Sequence, residues 1–152
     1  MPDEIKLIAK NRRARFEYEI EETFEAGLVL AGTEVKSLRL GKANIQDGFA
    51  RVRDGELWLE NVHINPYPFS RYGNHDPDRT RKLLVHRREI NRLKGKTTEK
   101  GYSLIPLTLY FKEGRAKLQL GLARGKKLHD KRQTIKDRQE SREMERAFRR
   151  TR

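Results

Sequence analysis

Cysteine is absent from this 152-residue chain, so neither a disulfide framework nor a thiolate metal site can hold it together. That composition is compatible with a reducing compartment, and a cytoplasmic location is expected. Long apolar runs are missing too: no stretch approaches the roughly 20 residues that a membrane-spanning helix needs. Met1 to Arg15 is charged throughout and contains no apolar signal-peptide segment. The four histidines, His63, His75, His86 and His129, fall on separate elements without HxH or HExxH spacing, so neither a metal nor a cofactor is expected. A nucleophile elbow, a P-loop and a Gly-rich dinucleotide fingerprint are likewise missing.

Carboxylates are scarce relative to cations. Against 35 Lys and Arg stand 22 Asp and Glu, a net charge of +13, which calls for an anionic partner and points to nucleic acid. The imbalance is steepest in residues 124–152, with twelve Lys or Arg, five Asp or Glu, and only Leu128, Ile135, Met144, Ala147 and Phe148 as apolar residues. Such a segment cannot bury enough surface to offset the entropy of ordering it, and it is expected to be disordered when free. It is also too poor in bulky apolar residues to lie on a membrane. Within it Arg138, Arg142, Arg146 and Arg150 recur every four residues, which stacks them on one helical face. Like charges at that spacing cost about 0.2–0.5 kcal/mol per pair, and phosphates would remove the repulsion, so the tail should become helical on binding.

Residues 1–123 suffice for one domain with a single core. Alternation dominates it. Phe16, Tyr18 and Ile20 read as the start of a strand that Phe24 through Leu30 resumes. Thr33 can cap a short helix carrying Val35 and Leu38, with Gly41 as its stop. Asp54-Gly55, between Phe49–Arg53 and Glu56–Ile64, is a strong hairpin signal. A loop rich in Pro, Gly and Asn covers Asn65 to Pro77, and Leu84, Ile90 and Leu93 suggest a helix ending at Gly95. Tyr102–Phe111 and Ala116–Leu122 pair across Lys112 to Arg115, with Leu118, Leu120 and Leu122 on one face and Lys117 and Gln119 on the other. Pro106 places its strand at an edge or at a bulge. Short strands with brief helices argue for a mainly β fold: an OB-like antiparallel barrel with about three short helices and a basic C-terminal tail. A monomer is the expected state.

Several polar groups are candidate RNA contacts. Arg12, Arg13 and Arg15 precede the first strand read above, at a spacing suited to a phosphate backbone; a solubilising arm would look the same. Lys36, Arg39 and Lys42 cluster around the short helix, where cations also favour the helix dipole. Arg79, Arg81 and Lys82 form a basic loop beside Leu83 and Leu84, which can combine phosphate contacts with a platform for an unstacked base. Lys117 and Gln119 fit either an RNA-facing or an ordinary solvated face. Glu25, on spacing alone, reads as a strand carboxylate paired with a cation; the alternative is an acceptor for the Watson–Crick edge of an unpaired guanine. His75 with Asp76 permits an RNA-cleaving acid–base pair, though a turn in which Asp caps backbone groups explains the same residues.

The runs NRRARFEYEIEETFEAGLVLAGTEVKSLR (Asn11 to Arg39), GKANIQDGFA (Gly41 to Ala50), HDPDRTRKLL (His75 to Leu84) and GLARGKKLHDKR (Gly121 to Arg132) closely resemble, in that order, the SmpB family of SsrA-binding proteins. That family escorts transfer-messenger RNA (tmRNA, or SsrA RNA) to stalled bacterial ribosomes. The resemblance implies a non-catalytic adaptor whose OB-like barrel holds the tRNA-like domain of tmRNA at its elbow. It makes Asn11, Glu25, the groups around Lys36 and Arg39, and Arg81 to Leu84 candidate elbow contacts, with Lys117, Arg124, Lys126 and Lys127 also facing RNA. It favours guanine reading for Glu25. The tail is implied to enter the decoding centre and the vacant mRNA channel as a helix. There His129 would stack on an rRNA base beside Asp130, Lys131 and Arg132, while Arg138, Arg142 and Arg146 would line the wall. The chain departs from its relatives at Phe16, where many carry His, and at the tail tip, Phe148 to Arg150.

Overall fold

A computed structural model of the chain describes residues 4–99, 101–125, 135, 136, 138, 139, 142 and 143. Nine strands and three helices are present within residues 4–125: β1 (Ile5–Lys10), α1 (Ala14–Glu17), β2 (Tyr18–Leu28), α2 (Gly32–Arg39), β3 (Ala43–Asn44), β4 (Phe49–Arg53), β5 (Glu56–Glu60), β6 (His63–Ile64), β7 (Arg81–Leu84), α3 (Arg87–Glu99), β8 (Ser103–Lys112) and β9 (Arg115–Gly125). Seven strands form one antiparallel sheet in the order β1-β8-β4-β5-β7-β2-β9, and β9 pairs again with β8. Six of them therefore close into a ring, with β1 added along Thr108 to Lys112 of β8. The short β3 and β6 pair separately. Closure satisfies the strand edges internally, as an OB-like barrel requires.

Two tight turns set the register. Asp54 and Gly55 (φ 53° and 74°) join β4 to β5, and Glu113 and Gly114 (φ 51° and 76°) join β8 to β9. Positive φ at both central positions gives the turn whose twist matches the flanking strands. Alternation then drives Leu118, Leu120 and Leu122 fully inward, where they meet Leu57, Leu59, Leu83, Leu104 and Leu109. Leu38 of α2 and Ile90 and Leu93 of α3 close over this core. A second cluster lies outside the ring, where Ala14 of α1 covers Ile105, Leu107 and Ala123.

The observed elements correct several sequence expectations. Ile5–Lys10 is a strand, hidden in the sequence because Ile5 and Leu7 alternate with lysine yet remain 60 % and 55 % exposed. Phe16 belongs to α1, and the strand begins at Tyr18. Thr33 is not the cap of α2: Ala31 holds that position, and its N–H donates to the Glu34 carboxylate at 2.7 Å. Gly41 does stop α2, at φ 72°, with its N–H on the Leu38 carbonyl and that of Lys42 on Ser37. Leu84 ends strand β7 rather than starting a helix, and α3 runs past Gly95 to Glu99. Pro106 sits at a bulge, where the register shifts between Pro106 and Thr108, in a strand that has neighbours on both sides. The expectation of a free, unstructured tail falls largely outside the described residues; the six that are described are helical and exposed.

Gly48 marks the tightest backbone approach. A Cβ there would lie 2.6 Å from Val62 Cγ2, 3.0 Å from Pro106 Cγ and 3.2 Å from the Ile45 carbonyl. Gly48→Ala is expected to destabilise the fold by about 1–3 kcal/mol through overpacking, read as a lower melting temperature. An unchanged Tm would show that this junction relaxes freely.

Candidate nucleic-acid interface

Because Leu118 and Leu120 point into the ring, Lys117 and Gln119 must point out. Register places Gln119 between Glu25 of β2 and Thr108 of β8, and Lys117 between Gly27 and Tyr110. Register thus gathers Glu25, Gln119, Thr108, Tyr110 and Lys117 on the outer face of β2, β9 and β8. The Tyr110 hydroxyl donates to Glu25 Oε2 at 2.5 Å, and Lys112 Nζ lies 3.6 Å from the same oxygen. Burial and this hydrogen bond hold the phenol protonated well above its usual range. Glu25 therefore pairs locally, as spacing suggested, yet its side chain stays 39 % exposed and both of these contacts fall on Oε2.

Two concavities open on this face. One, of about 530 Å³, lies between β2, β9 and the start of α3, and joins Glu25, Lys117, Leu84 and His86 over a floor that includes Phe24 and Gly27. Leu84 is 53 % exposed there. A Cβ on Gly27 would stand 3.3 Å from that of Leu84, so glycine leaves the floor open. Arg92 fixes α3 beside the cleft by bridging Glu22 of β2 to Glu89. The second concavity, of about 470 Å³, lies on the other side of Gln119 and is lined by Lys10, Asn11, Arg12, Arg15, Thr108 and the tail residue Arg138, among others. Asn11 is locked to the bulge of β8: its Nδ2 donates to the Pro106 carbonyl at 3.0 Å and its backbone N–H to Leu107 at 2.9 Å, while Oδ1 is buried without a partner. The Arg138 guanidinium lies 5.8 Å from the Phe16 ring centre.

While Asn11, only 8 % exposed, borders the second concavity from a buried position, Arg15, Glu25, Leu84 and Lys117 line the two concavities. Other expected contacts do not. Arg81 is the clearest correction: it is not in a basic loop but on β7, with no exposed surface. Its Nε donates to Glu34 Oε2 at 2.5 Å, and its two Nη atoms to the carbonyls of Val62 (2.6 Å) and Pro77 (3.0 Å). Arg79 donates to the other Glu34 oxygen at 2.5 Å. Burial by itself would raise the Glu34 carboxyl, but hydrogen bonds from Arg79, Ala31 and Arg81 outweigh it and hold the group below the ordinary carboxylate range.

Lys82 pairs with Glu56 at 3.4 Å, and Arg124 with Glu19 at 3.1 Å, both at the surface. Lys36 lies over the Tyr67 ring, with Arg39 and Lys42 exposed further along the same segment. Arg13 precedes α1 and is exposed, and Arg142 is exposed and helical. Lys126, Lys127, His129, Asp130, Lys131, Arg132 and Arg146 lie outside the described residues. His75 is engaged at both nitrogens: Nε2 meets the Ile64 carbonyl and Nδ1 the Thr33 hydroxyl, each at 2.8 Å. A carbonyl only accepts, so Nε2 donates to Ile64. Both nitrogens are thus spent on structure, which removes the acid–base pair imagined with Asp76. Sequence reading missed His86, Gly27 and Tyr110; alternation around Leu109 and Phe111 was the available signal for Tyr110.

A closed antiparallel ring with cations, an apolar ledge and carboxylate acceptors on its outer face defines an OB-like nucleic-acid-binding barrel. The family model described as SmpB protein matches residues 8–150. An SsrA-binding protein of Thermosynechococcus vestitus is 62 % identical over 149 residues, covering 97 % of this chain and 98 % of that one. The SsrA-binding protein of Geobacter metallireducens is 63 % identical over 144 residues, covering 95 % and 94 %. Among solved structures, a chain of "tmRNA-SmpB: a journey to the center of the bacterial ribosome" superposes with a TM-score of 0.68 at 52 % identity, over 89 % of this chain and 95 % of that chain. The chain belongs to the SmpB family.

The depressed Glu34 carboxyl contributes stability above the ordinary carboxylate value of 4.5, and that contribution is lost as pH falls through the lower folded-state value. Glu34→Gln should therefore lower Tm at pH 7 and flatten its fall between roughly pH 5 and 3. Arg81→Ala should cost about 3–5 kcal/mol, because it strands a buried carboxylate. A parallel pH profile for Glu34→Gln would refute the assignment.

Proposed function

We propose that this chain binds the tRNA-like domain of tmRNA and carries it to stalled ribosomes in trans-translation, as an adaptor that makes and breaks no bond. The observation that carries this reading is the cleft joining Glu25, Leu84 and Lys117, beside which Asn11 fixes the bulge of β8. In the cleft Leu84 offers a ledge for an unstacked base, Glu25 turns its second oxygen to a guanine edge, and Lys117 meets phosphate. Arg13 and Arg15 extend the cationic surface along which a folded RNA elbow would lie, and RNA phosphate would have to compete with Glu34, Glu56 and Glu19 for Arg79, Lys82 and Arg124. Arg81 acts through the fold, by holding β7 and therefore Leu84.

The tail, in this reading, reports an empty mRNA channel. His129 stacks in the decoding centre with Asp130, Lys131 and Arg132 beside it, Lys126 and Lys127 neutralise backbone, and Arg138, Arg142 and Arg146 line the channel as one helical stripe. An intact message fills the same groove, so insertion succeeds only when the message has ended. The family assignment and the four-residue arginine spacing support this division of labour.

Gel shifts of the full chain with tmRNA and with an ordinary tRNA, at several salt concentrations, test the first half. Preference for tmRNA is expected. Lys117→Ala should reduce the salt slope by about 0.7–0.9, whereas Leu84→Ala should weaken binding at an unchanged slope. Ending the chain after Gly125 should preserve tmRNA binding and abolish tagging on stalled ribosomes. Loss of RNA binding on truncation would defeat the proposal.

A further inference from the structure

Between β6 and β7 the chain runs from residue 65 to 80 with neither helix nor strand. Loops of this length inside a compact domain are uncommon and usually functional. This one is held at three points. At its start the Asn65 N–H donates to the Lys42 carbonyl at 3.1 Å and the Ser37 hydroxyl to the Asn65 carbonyl at 2.6 Å. In the middle the Asn74 amide brackets Tyr67, accepting from its N–H at 3.0 Å and donating to its carbonyl at 2.8 Å, and the Ser70 hydroxyl donates to the Gly73 carbonyl. At its end His75 fastens the loop to Thr33 and Ile64.

Despite this fastening, Phe69 is 71 % and Tyr72 fully exposed. Tyr67 meets Phe69 edge-on at 5.5 Å, and Lys36 Nζ stands 5.6 Å from the Tyr67 ring centre. Large rings presented to water on a pre-organised loop mark a surface that another molecule covers. Charge selects the class of molecule. Lys36, Arg39 and Lys42 flank the base of the loop and Arg71 lies within it; all four are exposed. The loop's own carboxylates are engaged: Asp76 Oδ1 accepts from the Asp78 N–H at 3.0 Å, and Asp78 meets His63 at 2.9 Å. Exposed rings bordered by cations are the arrangement that stacks bases and neutralises the backbone joining them.

We propose that the 65–80 loop and the cations of α2 form a second RNA surface, separate from the β2–β9 cleft, that takes unpaired nucleotides by stacking on Phe69 and Tyr72. Expected from sequence as elbow contacts, Lys36, Arg39 and Lys42 serve this surface, with Arg71 as a fourth cation. The assignment does not depend on what the cleft binds.

The test uses the full chain and a single-stranded deca-adenylate carrying one 2-aminopurine, whose fluorescence falls on stacking. The pair Phe69→Ala and Tyr72→Ala should lose the quenching and bind roughly tenfold more weakly at every salt concentration, with the salt slope unchanged. Phe69→Leu with Tyr72→Leu, which keeps apolar bulk without a π face, should behave the same way. Lys36→Ala with Arg39→Ala should keep the quenching and lower the slope by about 1.4, near 0.7 for each single-strand phosphate left without its cation. Ile5→Ala, on β1, should alter neither. Undiminished quenching in both ring variants would overturn the proposal, as would an equal effect of Ile5→Ala. Ring variants that bind the oligonucleotide normally but fail to sediment with ribosomes would assign the loop to a protein partner, which also overturns it.

Discussion

One buried carboxylate organises the side of the barrel from which the candidate RNA face is built. Glu34 lies in the first turn of α2 with no exposed surface, and it receives the Ala31 N–H, Arg79 and Arg81 together. Through Arg81 it reaches the carbonyls of Val62 and Pro77. Helix, strand β7, the residue before β6 and the far end of the 65–80 loop thus converge on one charged group. A pair so far from water is stable only because nearly every remaining donor finds a carbonyl. An apolar replacement of equal volume would fill the space, but it would not fix the angle at which β7 presents Leu84.

That constraint explains why two candidate surfaces can flank the same element without merging. Leu84 projects from the far end of β7 toward β2 and β9, where the register has already delivered Glu25 and Lys117. On the other side of Glu34, α2 carries Lys36 to the Tyr67 ring, and the loop extends its aromatics away from the sheet. Each surface combines cations with an apolar element, and neither contains a catalytic arrangement. His75, the one candidate base, uses both ring nitrogens to hold the loop.

The fold was largely legible because its strongest signals are local. Asp54-Gly55 and Glu113-Gly114 set two hairpins, Leu118 to Leu122 declared the inner face, and Gly41 ended α2. What failed in each case involved a tertiary override. Ile5 and Leu7 sit on an added edge strand that leaves them exposed, so their alternation carried no burial information. Val85 and His86 break the run from Leu84 to Leu93 into a strand followed by a helix, which apolar spacing alone cannot resolve. The site was legible by residue type but not by role. Lys117, Glu25 and Leu84 meet because of ring closure, whereas Arg81 looked like a surface cation in a basic run. Its partner Glu34 lies 47 positions away, a pairing that no local pattern announces.

Strand β9 has a mechanical consequence. Lys117 and Gln119 stand near its beginning, and at Gly125 it is still paired, to Tyr18 at the start of β2. Grip and tail origin are therefore points on one stiff rod, separated by eight residues, or roughly 26 Å at 3.3 Å per residue. Any tilt of the cargo against the cylinder swings the exit point as a lever swings its far arm. An RNA held at Lys117 and Gln119 would thereby aim the point from which the cationic extension departs.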